Sequence, residues 1–397
     1  MDINFIYLRS DIAANNSNID ALRRDFLYEI LKNDEIKISD KGRPIFFIES
    51  GGTEEKFKRI YKEYLPPYYI LATDANNSLP ASLEIMSFLS KQGLEAILIH
   101  GTKEEIKSKL LNLKDSKHFE LNKISHNKLL EGERLGLIGK PSDWLISSDV
   151  SYQNAKDTFG VTLVDISFNE FKEEIEKAIT PDFALDFVNK YESEKIDRNT
   201  LVGALQIYSA IKNIVNKYKL NGVTVRCFDL LGTIKNTSCL ALALLNKEGI
   251  TATCEGDVPA MLSMHVIRKL FNESSFQANP SYINAERKYL LLAHCTLPLD
   301  MTSSFKMDTH FESGIGVGIK GELLTKDITI FKMNSLLNKF VAIEGKIDSN
   351  LSRPDLCRSQ IKVVSNEDLS MLTTNPCGNH LIIFYGHHKA ELIKKLK

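Results

Sequence analysis

Two carboxylates flank a glycine in the segment TCEGDVPAML, residues 253–262. Glu255 and Asp257 follow a short β-like run, and a helical pattern begins directly after them at Pro259. Asp257 suits the N-cap of that helix, because an aspartate before a proline at the first helical position is a strong start signal. Glu255 has no such structural role, and a carboxylate at the mouth of a buried strand is a candidate for catalysis or metal binding.

Other loops and strand ends offer polar side chains that could meet Glu255 in space. They carry Asn279, His294, His310, Glu312 and His380. A lone histidine at such a position more often makes a structural hydrogen bond than binds a ligand, but several loops of this kind in one chain favour a site. Carboxylates mixed with imidazoles suit a hard-to-borderline divalent ion such as Mn²⁺ better than a thiolate-loving one.

Three other polar segments have a simpler structural interpretation. IESGGTEEKF (48–57) follows a strand and opens a helix, so its backbone N–H groups could hold an anion. It lacks GxGxxG or GxxxxGK[ST], so a plain strand–helix turn is expected. GLIGKPSDWLISS (136–148) fits a strand end and turn anchored by the single tryptophan, Trp144. His387 and His388 are adjacent, and neighbours on a strand point to opposite faces, so both are expected at the surface.

Composition limits the class of protein. The 397 residues have a net charge of −1, with 43% hydrophobic and 25% charged residues, which is typical of a soluble protein of two or three domains. The sequence contains no basic block that would favour nucleic acid as the main partner. No run approaches the roughly 20 apolar residues that span a bilayer, and the N-terminus lacks signal-peptide features, so no membrane partner and a cytoplasmic location are expected.

The cysteines are expected to be free core thiols. All six lie after residue 226 and none forms a CxxC pair, which argues against a zinc knuckle. They are Cys227, Cys239, Cys254, Cys295, Cys357 and Cys377.

The periodicity predicts an α/β fold in three parts. Residues 1–180 alternate apolar β-like runs with helices of 3.6-residue period, which is typical of Rossmann-like parallel sheets with helices on both faces, possibly as two subdomains. Residues 181–290 predict a central α/β domain that carries Glu255. Residues 291–397 contain short strands with glycines, which predict a β-rich barrel or sandwich that carries His294 and His380.

A series of short motifs resembles the L-fucose isomerase-related family, whose larger members are the L-fucose and L-arabinose isomerases. The resemblance is scattered through residues 136–392 and is densest over 222–320. The motifs are, in order, GLIGKPSDWL, TCEGDVPAML, ANPSYIN, LAHCTLPL, THFESGIGVGI, LCRSQI and CGNHLIIFYG. Their shared order is specific to the superfamily and not to one sugar.

The resemblance implies an aldose–ketose isomerase that uses Mn²⁺, or another divalent cation, and an ene-diol mechanism. Glu255 matches the first acidic residue, which binds the metal and acts as acid and base. His380 matches the C-terminal histidine ligand, and His294 matches a further histidine of the arabinose branch. The second acidic position falls at or near Asn279, whose amide can bind a metal weakly but cannot accept a proton.

This departure leaves alternatives open. Asp257, Glu312 or Glu286 could supply the second acid, Glu255 could work alone, or the chain could do different chemistry. The candidate catalytic residues are therefore Glu255 and Asp257, and the candidate metal ligands are Glu255, Asn279 and His380. The expected substrate-binding residues are Trp144, Asn279, His294, His310 and Glu312, with Lys140 as a further contact.

The first alternative function is a non-catalytic carbohydrate-binding or regulatory protein on the isomerase scaffold. A metal-assisted lyase or epimerase is a third, since it would use the same ion and enediolate. The resemblance also implies a homo-oligomer with the active site at a subunit interface, near Trp144.

Overall fold

Two parallel sheets and a closed antiparallel barrel make up the fold, in a computed structural model that describes residues 1–11, 17–33, 35–113 and 120–397. The mixed α/β class, the parallel sheets and the β-rich barrel are thereby confirmed. The division of the chain at residues 180 and 290 stays a prediction.

The first parallel sheet has the strand order β2-β1-β3-β4-β5. Its strands are β1 (Asp2–Leu8), β2 (Lys37–Ile38), β3 (Arg43–Ile48), β4 (Tyr68–Ala72) and β5 (Ala96–Ile99). Its helices are α1 (Ser17–Leu31), α2 (Glu54–Ile60), α3 (Ser78–Lys91) and α4 (Lys103–Leu111), with a 3₁₀ turn at Tyr61–Glu63. Separate apolar clusters form on its two faces, as expected for a sheet covered on both sides. In this doubly wound order, ligands bind at the carboxyl ends of β1 and β3, where the order reverses.

The second parallel sheet has the order β10-β9-β7-β8. A short strand, β6 (Asn122–Lys123), precedes it in the chain and pairs with the barrel instead. The strands of the second parallel sheet are β7 (Arg134–Ile138), β8 (Thr162–Ile166), β9 (Gly222–Val225) and β10 (Thr251–Cys254). The accompanying helices are α5 (Tyr152–Phe159), α6 (Phe168–Lys177), α7 (Ala184–Tyr191), α8 (Arg198–Tyr218), α9 (Asp229–Thr233), α10 (Cys239–Lys247) and α11 (Val258–Phe271).

Six later strands close into an antiparallel barrel, because its first and last members pair with each other. The strands of this part are β11 (Phe276–Asn284), β12 (Tyr289–His294), β13 (Thr302–Asp308), β14 (Gly318–Leu323), β15 (Asp327–Met333), β16 (Lys339–Asn350), β17 (Ser359–Val364) and β18 (Leu381–Tyr385). The barrel order is β15-β18-β11-β12-β17-β16, while β13 and β14 form a separate hairpin. A 3₁₀ turn at Leu299–Met301 and helices α12 (Met371–Thr374) and α13 (Lys389–Leu396) complete it.

Helix α11 packs the second sheet against the barrel. Its buried residues Met261 and Leu262 share an apolar cluster with Phe331 of β15 and Phe384 of β18. The end of β10, where α11 begins, therefore lies beside barrel strands that are distant in sequence.

All six cysteines are buried and free, which confirms the expectation for them. Among the described helices, none combines the length and the apolar character needed to cross a membrane.

Candidate active site

Glu255 lies in a tight left-handed turn between β10 and α11. Its φ is +66°, and that of Gly256 is +71°. This conformation costs a non-glycine residue about 1–2 kcal/mol, so the surrounding structure must hold it. Two backbone hydrogen bonds stabilise the turn. The Ser142 amide donates to the Glu255 carbonyl at 2.9 Å, and the Gly256 amide donates to the Val225 carbonyl at 3.0 Å.

The two carboxylate oxygens of Glu255 have different partners. Trp144 Nε1 donates to Oε2 at 2.7 Å. Oε1 faces two imidazoles, 3.4 Å from His380 Nε2 and 3.7 Å from His294 Nε2. Burial raises the pKa of Glu255, but the two nearby histidines outweigh burial and hold the pKa well below its usual value. Glu255 is therefore an ionised carboxylate with one oxygen directed at the rings.

His380 is held from behind by Asp257. Its Nδ1 donates to Asp257 Oδ2 at 2.8 Å, while its Nε2 is buried and has no hydrogen-bond partner. Burial lowers the pKa of His380, but the nearby carboxylates of Glu255 and Asp257 outweigh burial and raise the pKa to about 9. A carboxylate behind an imidazole fixes the ring orientation and increases the basicity of the nitrogen on its far side, as in many metal sites.

Asp257 is fully enclosed and has no oxygen facing a cavity. It accepts from the Ala260 amide at 2.7 Å, which confirms its N-cap role, although α11 begins at Val258 and not at Pro259. Lys332 Nζ lies 3.0 Å from Oδ2. Burial raises the pKa of Asp257, but Lys332 and His380 lower it to about 2. The geometry thus gives Asp257 a positioning role behind His380.

Glu255, His294 and His380 can together hold a metal ion. One ligand atom from each lies within 4.8 Å of the other two, and no other group of three such side chains within the described ranges does so. Thr296 Oγ1 lies 2.8 Å from His294 Nδ1, which orients the second ring. The partnerless His380 Nε2 and the ionised Glu255 oxygen are the donors that a divalent ion needs.

A cavity of about 690 Å³ extends from Glu255 to the first sheet. The carboxyl ends of β1 and β3 form its far wall, with Ser10 and the Ser50–Gly52 turn. This turn, expected to be purely structural, therefore also lines the cavity. Trp144, Phe228 and Phe311 provide aromatic surface near Glu255. The rings of His294 and His380 are not among the lining residues and lie behind Glu255.

Two further carboxyl groups line this cavity. Glu312 accepts from Asn77 Nδ2 at 2.6 Å, and burial with the charge of Glu255 raises the pKa of Glu312 to about 7. Glu54, at the start of α2, has one oxygen without a partner, and burial raises its pKa well above the usual value. Sequence reasoning included Glu312 but missed Glu54 and Asn77, and the only signal for Glu54 was its place after a glycine turn at a strand end.

Two buried asparagines complete the wall near Glu255. Asn279 and Asn379 both line the cavity, and each has a side-chain oxygen without a hydrogen-bond partner. Asn279, at whose sequence position the resemblance implies a second acid, thus lines the same cavity as Glu255, while Asn379 was missed although it precedes His380 in the CGNH motif. Both amides can bind a hydroxyl group.

The remaining predicted residues do not belong to the metal-binding group. His310 Nδ1 lies 3.0 Å from Ser313 Oγ, and burial lowers the pKa of His310 to about 4. Lys140 is exposed, and Glu286 is exposed in the β11–β12 turn. His387 is exposed between Asp327 and Glu344, whereas His388 is half-buried against Phe271.

Comparison with known proteins points to sugar isomerases. No family model matches the chain. It is 21% identical over 225 residues to a sulfoquinovose isomerase of Priestia aryabhattai, covering 54% of this chain and 50% of the relative. It is 23% identical over 221 residues to one of Alkalicoccus urumqiensis, covering 52% and 48%. A third, of Clostridium sp. (strain MSTE9), is 28% identical over 146 residues, covering 35% and 32%. The chain spans about half the length of the curated relatives that it matches first.

Proposed function

We propose that the protein is a divalent-metal-dependent sugar aldose–ketose isomerase. The observation that carries the proposal is the convergence of the Glu255 carboxylate with the His294 and His380 imidazoles at the end of a sugar-sized cavity. The names of the similar proteins support the same class of reaction.

The donor set fits a divalent cation such as Mn²⁺. One ionised carboxylate oxygen and two imidazole nitrogens would hold it, with the free Asn279 oxygen nearby as a neutral donor. When bound, such an ion polarises a carbonyl oxygen and stabilises negative charge on neighbouring oxygens. The lining aromatic rings and amides suit the C–H faces and hydroxyls of a sugar.

Glu312 is the best-placed partner for Glu255 in proton transfer. Isomerisation through an ene-diol moves a proton between adjacent carbons, and the Asn279 amide cannot accept it. Asp257 is fully buried and does not line the cavity, and Glu286 is exposed, whereas Glu312 lines the cavity. Two carboxyl groups whose pKa values lie on opposite sides of the usual range can serve as base and acid in one site. We therefore assign the second acidic role to Glu312 and orientation of a hydroxyl to Asn279.

The test combines metal analysis with product analysis. Wild-type protein loaded with Mn²⁺ should retain about one ion per chain and interconvert at least one aldose–ketose pair. Glu255→Gln should lose the ion and reduce kcat/KM by about 10²–10⁴-fold. Glu286→Gln, the same change at an exposed acid, should alter neither. Retention of the ion by Glu255→Gln would refute the site.

A non-catalytic carbohydrate-binding protein is the second candidate, favoured by the amide at Asn279. It predicts sugar binding without turnover and without a tightly bound ion. A metal-assisted epimerase or lyase would bind the ion, but its products would differ from the ketose of the substrate. Manganese as the natural metal, a homo-oligomer with the site at a subunit interface and a cytoplasmic location stay predictions.

A further inference from the structure

We propose that the sugar bound in this cavity carries no anionic group, an inference that rests on the proposed isomerase function. The similar proteins are named for sulfoquinovose, a sugar with a sulfonate group. A sulfonate or phosphate is ionised at neutral pH, and its burial requires a cation or several dedicated donors.

The part of the cavity wall that the described residues of this chain form carries acids and amides. Among its described lining residues none is Lys, Arg or His. The carboxyl groups are those of Asp11, Glu54, Glu255, Glu312 and Asp355, and the amides are those of Asn18, Asn76, Asn77, Asn279 and Asn379. A cation held by Glu255 and the histidines would lie at one end only.

Two basic residues next to the cavity, Lys56 and Arg353, are paired with carboxylates. Lys56 Nζ lies 2.7 Å from Asp11 Oδ1 and also donates to the Arg9 carbonyl at 2.9 Å. Arg353 is bonded to Asp355 and, at 2.8 Å, to Asp74 Oδ2. An anion that reached either cation would also lie beside these carboxylates, whose negative charge opposes its binding.

The glycine turn on the far wall does not replace a cation. The Gly51 amide donates to the Asn76 carbonyl at 2.9 Å. Ser50 Oγ accepts from the Ser10 amide at 3.0 Å and lies 3.3 Å from Ser10 Oγ. The partnerless Glu54 oxygen faces the same space, and a carboxyl group repels an anion when ionised. When protonated, it donates to a hydroxyl, as the amides do.

Matched sugars that differ only at C6 test the inference. Mn²⁺-loaded protein, in its native oligomeric state, is titrated with a panel of aldohexoses and 6-deoxyaldohexoses and with the 6-phosphate or 6-sulfonate of each. Affinity and kcat/KM should be highest for a neutral sugar, by about 100-fold over its anionic counterpart. An anionic sugar that is preferred, or a failure of every neutral sugar to bind, would overturn the inference.

A charge-gain variant tests the physical cause. Leu22 lines the cavity and is 46% exposed, so Leu22→Arg should fold and add a cation at the mouth. It should raise the affinity for the anionic sugar relative to the neutral one by about 10-fold, and Leu22→Gln should not. An unchanged ratio would contradict the inference.

These results separate the two proposals. Turnover of an anionic sugar that Glu255→Gln abolishes would overturn the inference and leave the isomerase intact. Binding of a neutral sugar without turnover by the metal-loaded protein would contradict the isomerase and leave the inference standing.

Discussion

The Glu255 side chain, on a backbone with positive φ, is oriented by one hydrogen-bond donor, Trp144. Trp144 Nε1 occupies Oε2, which leaves Oε1 for the imidazoles. Trp144, first expected to contact a substrate, therefore also orients the carboxylate. Because it is the only tryptophan, its fluorescence reports on Glu255 directly.

Trp144→Phe should weaken Mn²⁺ binding by about 10–100-fold, the usual effect of removing an outer partner of a metal ligand. The apolar ring is largely retained, so the loss is that of the Nε1 donor. Competition with a chelator of known affinity measures it. An affinity equal to that of wild type would show that Trp144 does not orient Glu255.

Glu312→Gln should stabilise the metal-free protein at high pH. The pKa of Glu312 is raised from 4.5 to about 7 in the folded state. The protonated side chain therefore contributes to the free energy of unfolding below the unfolded-state pKa, and this contribution is lost as pH rises through about 7. The full shift corresponds to about 3 kcal/mol, and partial solvent access reduces it to about 2 kcal/mol.

Urea unfolding at pH 4 and pH 8 measures this difference. The glutamine can still accept from Asn77, so the variant should match wild type at pH 4 and exceed it at pH 8. Equal stability at both values would show that Glu312 is not a buried carboxyl of raised pKa.

At this scale the sequence offered candidate residues but not their contacts. Glu255 and His380 were predicted as metal ligands and His294 as a substrate-binding residue, whereas the structure groups these three side chains. The bond between Asn77 and Glu312 joins residues 235 positions apart, and no local pattern encodes it. Only one part of the role of Asp257 could be predicted from sequence. The helix cap follows from local residue types, whereas the bonds to Lys332 and His380 join residues that are distant in the chain.

The turn between β10 and α11 positions the site at the element scale. A Cβ at residue 256 would lie 2.7 Å from Pro141 Cα and 2.8 Å from the Lys140 carbonyl. Gly256 therefore lets the 139–144 loop, which carries Trp144, approach Glu255.

Gly256→Ala should cost at least 2–3 kcal/mol of unfolding free energy and weaken metal binding, because both φ and space exclude a methyl group. Gly93→Ala is the matched control: its φ is also +71°, but nothing lies within 4 Å of the added Cβ. Its cost should be about 1 kcal/mol. Equal costs by chemical denaturation would contradict the close approach.

The alternating elements of the first 180 residues and the cap of α11 were predictable, since both depend on local periodicity and capping chemistry. Barrel and sandwich could not be distinguished, because closure depends on the pairing of β15 with β16 around the whole ring of strands. The cavity depends on how the first sheet faces the barrel, which the sequence does not show.

At the scale of the whole molecule, one buried ion pair joins the second sheet to the barrel. Lys332 of β15 and Asp257 at the start of α11 have fully buried side chains. Lys332→Met should destabilise the fold by about 3 kcal/mol, because the buried Asp257 carboxylate then keeps only His380 as a counter-charge. Lys339→Met, an exposed lysine on the next strand, should change stability by less than about 0.5 kcal/mol. Similar midpoints for the two variants would show that the pair does not join these parts.

Anomalous X-ray scattering from crystals soaked in Mn²⁺ tests the central claim most directly. A single strong peak bonded to Glu255 Oε1, His294 Nε2 and His380 Nε2 is predicted, with the ion at the inner end of the cavity. A peak elsewhere, such as between His387 and Glu344, or no peak among the three side chains at saturating Mn²⁺, would contradict it.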